Sequence, residues 1–258
     1  MQITKIKKLK GNKYSLTIDN YNIVTFDNVI LKYNLLYNKI IDEKTYTKIL
    51  EETKYYEIYD KVEKYVLKKM RSEKQVKEYL DKLNIEPKTI DDIIEKLKKN
   101  NILNDKEYCR AFIHDSIFLS KKGINRIRNE LLSQNIQKEI IESVLNEFDI
   151  DVLDEKLKKL IINKLKSNKK YSSYYLKQKV LNELIKDGYD RDKILNIMKT
   201  IEISDEFIIE KEFEKTAKKL AIKYQGKEFI DKLRYKMLAK GFTTEKINYL
   251  IEQKNKEE

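Results

Sequence analysis

The sequence contains few of the residues that interrupt helices and few of those that carry catalytic or metal-binding chemistry. Its 258 residues include one proline, five glycines, one cysteine, one histidine and no tryptophan. So little proline and glycine argues against a turn-rich β protein, whereas a hydrophobic fraction of 41% is enough to bury a core. We therefore predict a mostly α-helical fold in which short loops join long helices.

The single cysteine, Cys109, excludes an intrachain disulfide bond and suits a reducing compartment. No apolar run approaches the roughly 18 residues of a membrane helix. The first ten residues interleave lysine with isoleucine, which is not a signal-peptide pattern. These absences predict a cytoplasmic protein with no membrane partner.

Candidate catalytic and metal-binding residues are scarce. His114 stands among apolar residues of a predicted helix, and we interpret it as a packed or surface histidine. Cys109 is five residues away, so the two side chains point to different helix faces and form no nucleophile–base pair. There is no glycine-rich phosphate loop and no histidine–cysteine cluster. We predict no catalytic residue, no cofactor and no metal, and therefore a protein that is not an enzyme.

The first 26 residues alternate apolar and polar side chains, as strands do. The alternating segments are residues 3–9, 13–18 and 21–26, and Gly11-Asn12 and Asp19-Asn20 are turn signals between them. A short N-terminal β-meander is therefore predicted. From about Asp42 the apolar period lengthens to that of a helix and stays helical to the C-terminus.

The helical part repeats at intervals of 51, 53 and 53 residues. The equivalent positions are Ile85, Ile136, Tyr189 and Phe242, each preceded by a residue that tolerates the left-handed conformation ending a helix: Asn84, Asn135, Gly188 and Gly241. Apolar stripes precede these turns at Val76/Leu80, Ile127/Leu131, Val180/Leu184 and Leu233/Met237, and similar stripes follow them. A further helix precedes each pair, so each repeat is predicted as helix, helix, capped turn, helix.

This pattern predicts tandem three-helix repeats in an elongated helical array. The predicted segments are a β-rich leader with a linking helix at 1–57, followed by repeats at 58–104, 105–149, 150–204 and 205–258. Two joints share a phrase, Leu103-Asn104-Asp105 and Ile203-Ser204-Asp205, in which a polar residue is placed to cap the next first helix.

The formal net charge of +12 suggests a polyanionic partner. Nine lysines and no acidic residue lie between Lys156 and Asn182, and shorter acid-free runs occur at a similar phase of the other repeats. In a regular array these runs would line one edge and contact a phosphate backbone or a long acidic surface; the alternative is a chance excess of lysine in solvent-facing loops. The candidate contact residues are Lys68, Lys69, Arg71, Lys121, Lys122, Arg126, Arg128, Lys158, Lys159, Lys166, Lys169, Lys170, Lys219 and Lys223.

Two further nucleic-acid signals are ambiguous or unfavourable. Tyr171, Tyr174 and Tyr175 stand inside the most basic run and could stack on bases, but we prefer to interpret them as helix-packing residues. The third helix of repeat 2 carries Lys138 against Glu139. A mixed-sign helix of this kind is a poor reader of the major groove, so sequence-specific DNA recognition is not expected.

Three phrases occur in a fixed order along the chain: Met70-Arg71-Ser72-Glu73, then Ile102-Leu103-Asn104-Asp105 followed by Tyr108 and Phe112, then Lys122-Gly123 followed by Arg126-Ile127 and Glu130-Leu131. In their order and spacing they resemble the RecX family, the regulators of the RecA recombinase, and the resemblance runs over essentially the whole chain. The leader and the fourth repeat are similar to the longer members of Gram-positive bacteria. Asn84 and Asn135 depart from the glycine that is more frequent in the family.

The resemblance implies a non-enzymatic modulator of homologous recombination, DNA repair and the SOS response. It implies binding to the RecA filament on single-stranded DNA, with inhibition of filament growth, ATP hydrolysis and strand exchange. Direct binding to single-stranded DNA is expected to be weak and non-specific, and the protein is expected to be a monomer. Two alternatives stay open: a non-specific DNA-binding protein and a helical-repeat scaffold for protein interactions.

Overall fold

A computed structural model describes residues 1–167 and 170–257, apart from the side chains of Ile150 and of residues 255–257. The described part is mostly α-helical, with a small antiparallel sheet at the N-terminus and three-helix repeats after it, which confirms the predicted fold class. Contacts divide the chain into two compact units. The first comprises Met1–Tyr108 and Gln134–Ile136, and the second comprises the remainder from Cys109.

The leader is the predicted meander. Its strands are β1 (Ile3–Lys8), β2 (Lys13–Ile18) and β3 (Tyr21–Phe26), in the order β1-β2-β3. One face of the sheet buries Leu16 and Ile18 against the short helix α1 (Asp27–Lys32) and against Ile49 of α2 (Glu43–Lys68). The leader is thus packed on the first repeat through an apolar face, as alternation in the sequence predicts.

The remaining helices group in threes. Their bounds are α3 (Glu73–Asp81) and α4 (Pro87–Lys99), which pack with α2; α5 (Asp105–Leu119), α6 (Ile124–Ser133) and α7 (Lys138–Leu145); α8 (Ile150–Lys166), α9 (Ser173–Lys186) and α10 (Arg191–Lys199); and α11 (Glu206–Ala221), α12 (Gly226–Leu238) and α13 (Thr244–Glu257). The predicted boundary between residues 57 and 58 falls inside α2, and the predicted repeat limits stay a prediction.

The turn after each second helix has the predicted left-handed residue. The φ angles are +53° at Asn84, +61° at Asn135, +90° at Gly188 and +83° at Gly241. In repeat 3 the Tyr189 amide also donates to the Leu184 carbonyl at 3.0 Å, which is the bond that closes such a C-terminal turn. The predicted left-handed residue is therefore present in all four turns.

The apolar stripes form the repeat cores. The residues five places before the anchors, Leu80, Leu131, Leu184 and Met237, are all fully buried. In repeat 1 Leu80 packs in one cluster with Val62, Val76 and Ile93. Separate clusters occupy repeats 3 and 4. The second helices of repeats 1, 3 and 4 are therefore held mainly by burial within their own repeats.

In the second unit, the start of the second helix of one repeat contacts the end of the second helix of the following repeat. The Gly123 amide, just before α6, donates to the Asp187 carbonyl at 2.7 Å, and the Asn125 amide donates to the Gly188 carbonyl at 3.0 Å. The Ser172 amide, just before α9, likewise donates to the Lys240 carbonyl after α12 at 3.0 Å. We call these contacts head-to-tail junctions. They satisfy amides at helix starts that have no partner within their own helix.

Candidate functional site

Seven of the candidate lysines are exposed and form no ion pair with any described residue. Most lie in the last turn of a first helix or in the loop after it, where the negative end of the helix dipole favours a cation. They are Lys68 and Lys69 in the first unit, and Lys121, Lys158, Lys166, Lys219 and Lys223 in the second. Their charge is accessible to a partner.

The other candidate cations in and just before α6 are paired instead: Lys122, Arg126 and Arg128. Lys122 and Arg126 both contact Glu130, the latter at 3.0 Å. Arg128 donates to both carboxylate oxygens of Glu142 on α7. The guanidinium hydrogen bonds hold the pKa of Glu142 below its ordinary value. The positive charge predicted for this part of repeat 2 is largely balanced by acidic neighbours.

Arg71 is part of an aromatic stack in repeat 1. Its guanidinium lies 4.4 Å from the centre of the Tyr65 ring, and Tyr65 stacks on Tyr79 with ring centres 4.2 Å apart. The Arg71 Nε atom is buried and has no hydrogen-bond partner within the described chain. The side chain is held by its cation–π contact rather than extended toward a partner.

Two lysines of the basic run have a structural role that sequence reasoning missed. Lys156 donates to the carbonyls of Ile117 and Ser120 at the end of α5, the second at 2.7 Å. Lys177 donates to the carbonyls of Met198 and Ile201 at 3.2 and 3.0 Å. Burial lowers the pKa of the Lys156 ammonium. These lysines satisfy carbonyls at helix ends, a role that lysine spacing alone does not reveal.

Other residues of the basic run differ in the contacts they make. Lys159 lies 3.7 Å from Glu155, with both side chains largely exposed. Lys170 is exposed but interacts within the protein, and the predicted contact residue Lys169 lies outside the described residues. The rings of Tyr171 and Tyr175 stack on each other with centres 5.1 Å apart, which supports the packing interpretation for these two.

Both repeated joints also hold the start of the preceding second helix, which the sequence did not predict. The Asn104 side chain accepts from the amides of Lys106 and Glu107 and caps α5, as expected. Asp105 also accepts from the Glu73 amide at the start of α3 at 2.9 Å. Its equivalent, Asp205, accepts from the Ser173 amide at 2.6 Å and from its hydroxyl at 3.1 Å. The equal spacing of these bonds, 32 residues, is the signal that could have revealed them.

His114 is exposed and Cys109 is buried, which fits the prediction that the two side chains point to different faces of their helix. The His114 ring lies against the Phe118 ring at a tilted angle, with ring centres 4.7 Å apart. Within the described residues no cluster of three or more histidine, cysteine or acidic side chains is arranged to hold a metal ion. None of the described helices combines the length and apolar character that crossing a membrane requires.

Known proteins are similar to this chain in sequence and in fold. Residues 104–145 match a family model described as the second three-helix domain of RecX. The chain is 30% identical over 261 residues to the regulatory protein RecX of Listeria innocua, covering 98% of this chain and 97% of that protein. It is 29% identical over 259 residues to the regulatory protein RecX of Streptococcus agalactiae, covering 98% and 99% respectively.

Two solved structures have a similar fold. A crystal structure of a regulatory protein RecX superposes with a TM-score of 0.66 at 22% identity, covering 77% of this chain and all of that one. A RecX structure from Lactobacillus salivarius gives a TM-score of 0.52 at 25% identity, covering 56% and 94%. Because a near-full-length relative reaches 30% identity and the three-helix repeats are present, this chain belongs to the RecX family of regulatory proteins.

Proposed function

We propose that this protein is a non-enzymatic inhibitor of the RecA recombinase that binds the RecA filament on single-stranded DNA and limits its growth, ATP hydrolysis and strand exchange. Family membership supplies the regulatory role. The observation that carries the binding step is the set of exposed lysines at the ends of first helices, which have no acidic partner among the described residues. Such charges contribute little to folding and remain available for a polyanionic partner.

The burial and pairing of the candidate residues divide them into two groups. We assign direct contact to the seven exposed, unpaired lysines, with Lys159 as a weaker member. Arg71, Lys122, Arg126 and Arg128 are engaged within the protein, so replacing them would disturb local packing as well as charge. A test of binding should therefore use the first group only.

The test reverses four charges in the second unit, with Lys158, Lys166, Lys219 and Lys223 each replaced by glutamate. Inhibition of RecA ATP hydrolysis on single-stranded DNA is measured across a salt series. We expect the variant to need about tenfold more protein for half inhibition at low salt, and the difference to shrink as salt rises, because screening weakens charge attraction.

A matched control carries the same charge change elsewhere. Lys44, Lys48, Lys199 and Lys236 are also exposed and unpaired within the described chain, but lie outside the basic runs. Their replacement by glutamate should leave inhibition within about twofold of the parent, since long-range charge effects are screened. Equal losses in both variants would contradict the contact assignment, and a parent protein that does not inhibit RecA would contradict the function.

A second candidate function, direct binding of single-stranded DNA, is favoured by Tyr174. This ring is 73% exposed and stands among the lysines of repeat 3, as an aromatic platform for a base would. Replacing Tyr174 with alanine should weaken binding of oligothymidylate about tenfold if the ring stacks on a base. The same change at the exposed Tyr249 on α13 is the control. Equal affinities for both variants would remove this candidate.

A further inference from the structure

The first-to-second helix loops expose apolar side chains directly beside lysines. We call these segments the tips: residues 67–70 in repeat 1, 118–121 in repeat 2 and 219–223 in repeat 4. In the first tip Leu67 is 69% exposed and Met70 is also exposed, flanking Lys68 and Lys69. The next residue, Arg71, is fixed on the Tyr65 ring, so the apolar side chains are presented from an anchored backbone.

The second tip has the same composition on a different anchor. Leu119 is 80% exposed and Phe118 is 55% exposed, next to Lys121. The Ser120 hydroxyl donates to the Ser116 carbonyl at 2.6 Å and accepts from the Lys122 amide at 3.2 Å. These bonds fix the backbone before a partner arrives, which reduces the ordering cost of binding.

The fourth repeat repeats the arrangement. Ile222 is 82% exposed at the end of α11, between Lys219 and Lys223. The amides of Lys223 and Tyr224 both donate to the Leu220 carbonyl at 2.9 Å. Three loops of unlike sequence therefore share one surface chemistry, in which strongly exposed apolar side chains stand next to exposed lysines.

This chemistry discriminates between classes of partner. An exposed leucine or isoleucine favours binding only when the partner covers it with apolar surface. A phosphodiester backbone offers none, and bases stack on aromatic rings rather than on aliphatic chains. The flanking lysines require negative charge on the same partner. A protein surface in which apolar side chains alternate with carboxylates supplies both.

We infer that the tips bind such an acidic, apolar protein surface. This inference rests on the proposed function in one respect: it assigns the tips to the protein component of the RecA–DNA filament rather than to the DNA. Because the tips are fixed within their own repeats, each contributes a small, preorganised contact, and several weak contacts made by one chain add through effective concentration.

Three labelled probes test the inference by fluorescence anisotropy: a peptide in which glutamate alternates with leucine, a peptide of equal length and charge with serine for leucine, and oligothymidylate. The tip variant carries Leu67→Gln, Leu119→Gln and Ile222→Gln. The control variant carries Leu83→Gln, Leu132→Gln and Ile185→Gln, which are exposed apolar residues near the ends of second helices. All six changes preserve charge and remove exposed side chains, so folding should be little affected.

We expect the parent and the control variant to bind the glutamate–leucine peptide at least about fivefold more tightly than the glutamate–serine peptide, a difference of about 1 kcal/mol. The tip variant should bind both peptides alike and bind oligothymidylate as the parent does. Equal binding of the two peptides by the parent, or a preference that survives in the tip variant, would overturn the inference. Loss of oligothymidylate binding in the tip variant would also overturn it, because it would place DNA on the tips.

The same proteins separate this inference from the proposed function. If the parent prefers the glutamate–leucine peptide through the tips but does not inhibit RecA, the proposed function fails and the acidic, apolar binding surface stands. If the parent inhibits RecA but shows no peptide preference, the function stands and the tip inference fails. If both hold, the tip variant should also inhibit RecA less well than the control variant.

Discussion

Individual glycines meet two separate demands, a backbone conformation and a lack of space. Gly188 has a φ of +90°, and a Cβ atom there would lie 2.4 Å from both the amide nitrogen and the Cβ of Arg126. Gly226 has a φ of +56°, yet a Cβ atom there would meet nothing within 4 Å. The pair therefore allows the cost of conformation to be separated from the cost of crowding.

We expect Gly188→Ala to lower the free energy of unfolding by about 3 kcal/mol, because left-handed strain adds to overpacking against Arg126. Gly226→Ala should cost only about 1 kcal/mol, since it adds the strain alone. Denaturant unfolding followed by circular dichroism measures both. Equal costs would show that the junction between α6 and α9 relaxes to admit the methyl group.

A second residue-scale prediction concerns acid. Arg128 holds the pKa of Glu142 below its ordinary 4.5, so this pair stabilises the fold above about pH 4.5 and the contribution is lost as pH falls through the lowered pKa. Stability of the parent protein should therefore fall more steeply with acid than that of Glu142→Gln. Glu139→Gln, an exposed change on the same helix, is the control. Parallel acid curves for the parent and Glu142→Gln would contradict the prediction.

At the scale of elements, hydrogen bonds at the helix ends tie one repeat to the next. Asp205 illustrates this, because it stands just before α11 yet its carboxylate accepts hydrogen bonds at the start of α9. One side chain thus ties the first helix of repeat 4 to the second helix of repeat 3. A cap of this kind constrains both the start of a helix and its position.

Asp205→Ala should lower stability by about 1 kcal/mol, the usual cost of losing a helix cap, and should increase amide hydrogen exchange in the first turn of α9. Asp205→Asn should cost less, because the amide oxygen can still accept from the Ser173 backbone. Asp231→Ala, an exposed change on α12, is the control. Unchanged exchange at the start of α9 in Asp205→Ala would argue against this role.

The sequence predicts the turns of the repeats better than it predicts which charged side chains are free to contact a partner. Asparagine or glycine at positions 84, 135, 188 and 241 indicates a left-handed residue because the requirement lies in the backbone of that one position. The basic run does not indicate which lysines face solvent. Lys156 and Lys158 are two residues apart, yet the first caps carbonyls 36 and 39 residues away and the second is exposed. That distinction depends on distant partners.

For the whole molecule, local clusters provide the stability. The cluster around Leu80 lies in the first unit and the cluster around Met237 in the second. In repeat proteins, stability is approximately a sum of such local cores and the interfaces between neighbours. A destabilising substitution in one core should therefore increase local unfolding first in its own unit.

We expect Leu80→Ala and Met237→Ala each to cost about 3 kcal/mol, because each empties a fully buried site. Hydrogen exchange followed by mass spectrometry should show faster exchange in residues 1–108 for the first variant and in the second unit for the second variant. Leu83→Ala, which removes an exposed side chain next to the turn after α3, should change little. A uniform increase across the chain in either core variant would indicate a single cooperative unit instead.

The head-to-tail junctions have an evolutionary consequence. At these contacts the hydrogen bonds run between backbone amides and carbonyls, so they place few demands on side-chain identity beyond the small residues where the two segments meet, Gly123, Gly188 and Gly241. A duplicated or deleted segment encoding one repeat would therefore leave compatible ends behind. Backbone joints of this kind allow repeats to be gained or lost while the surfaces that meet partners diverge separately.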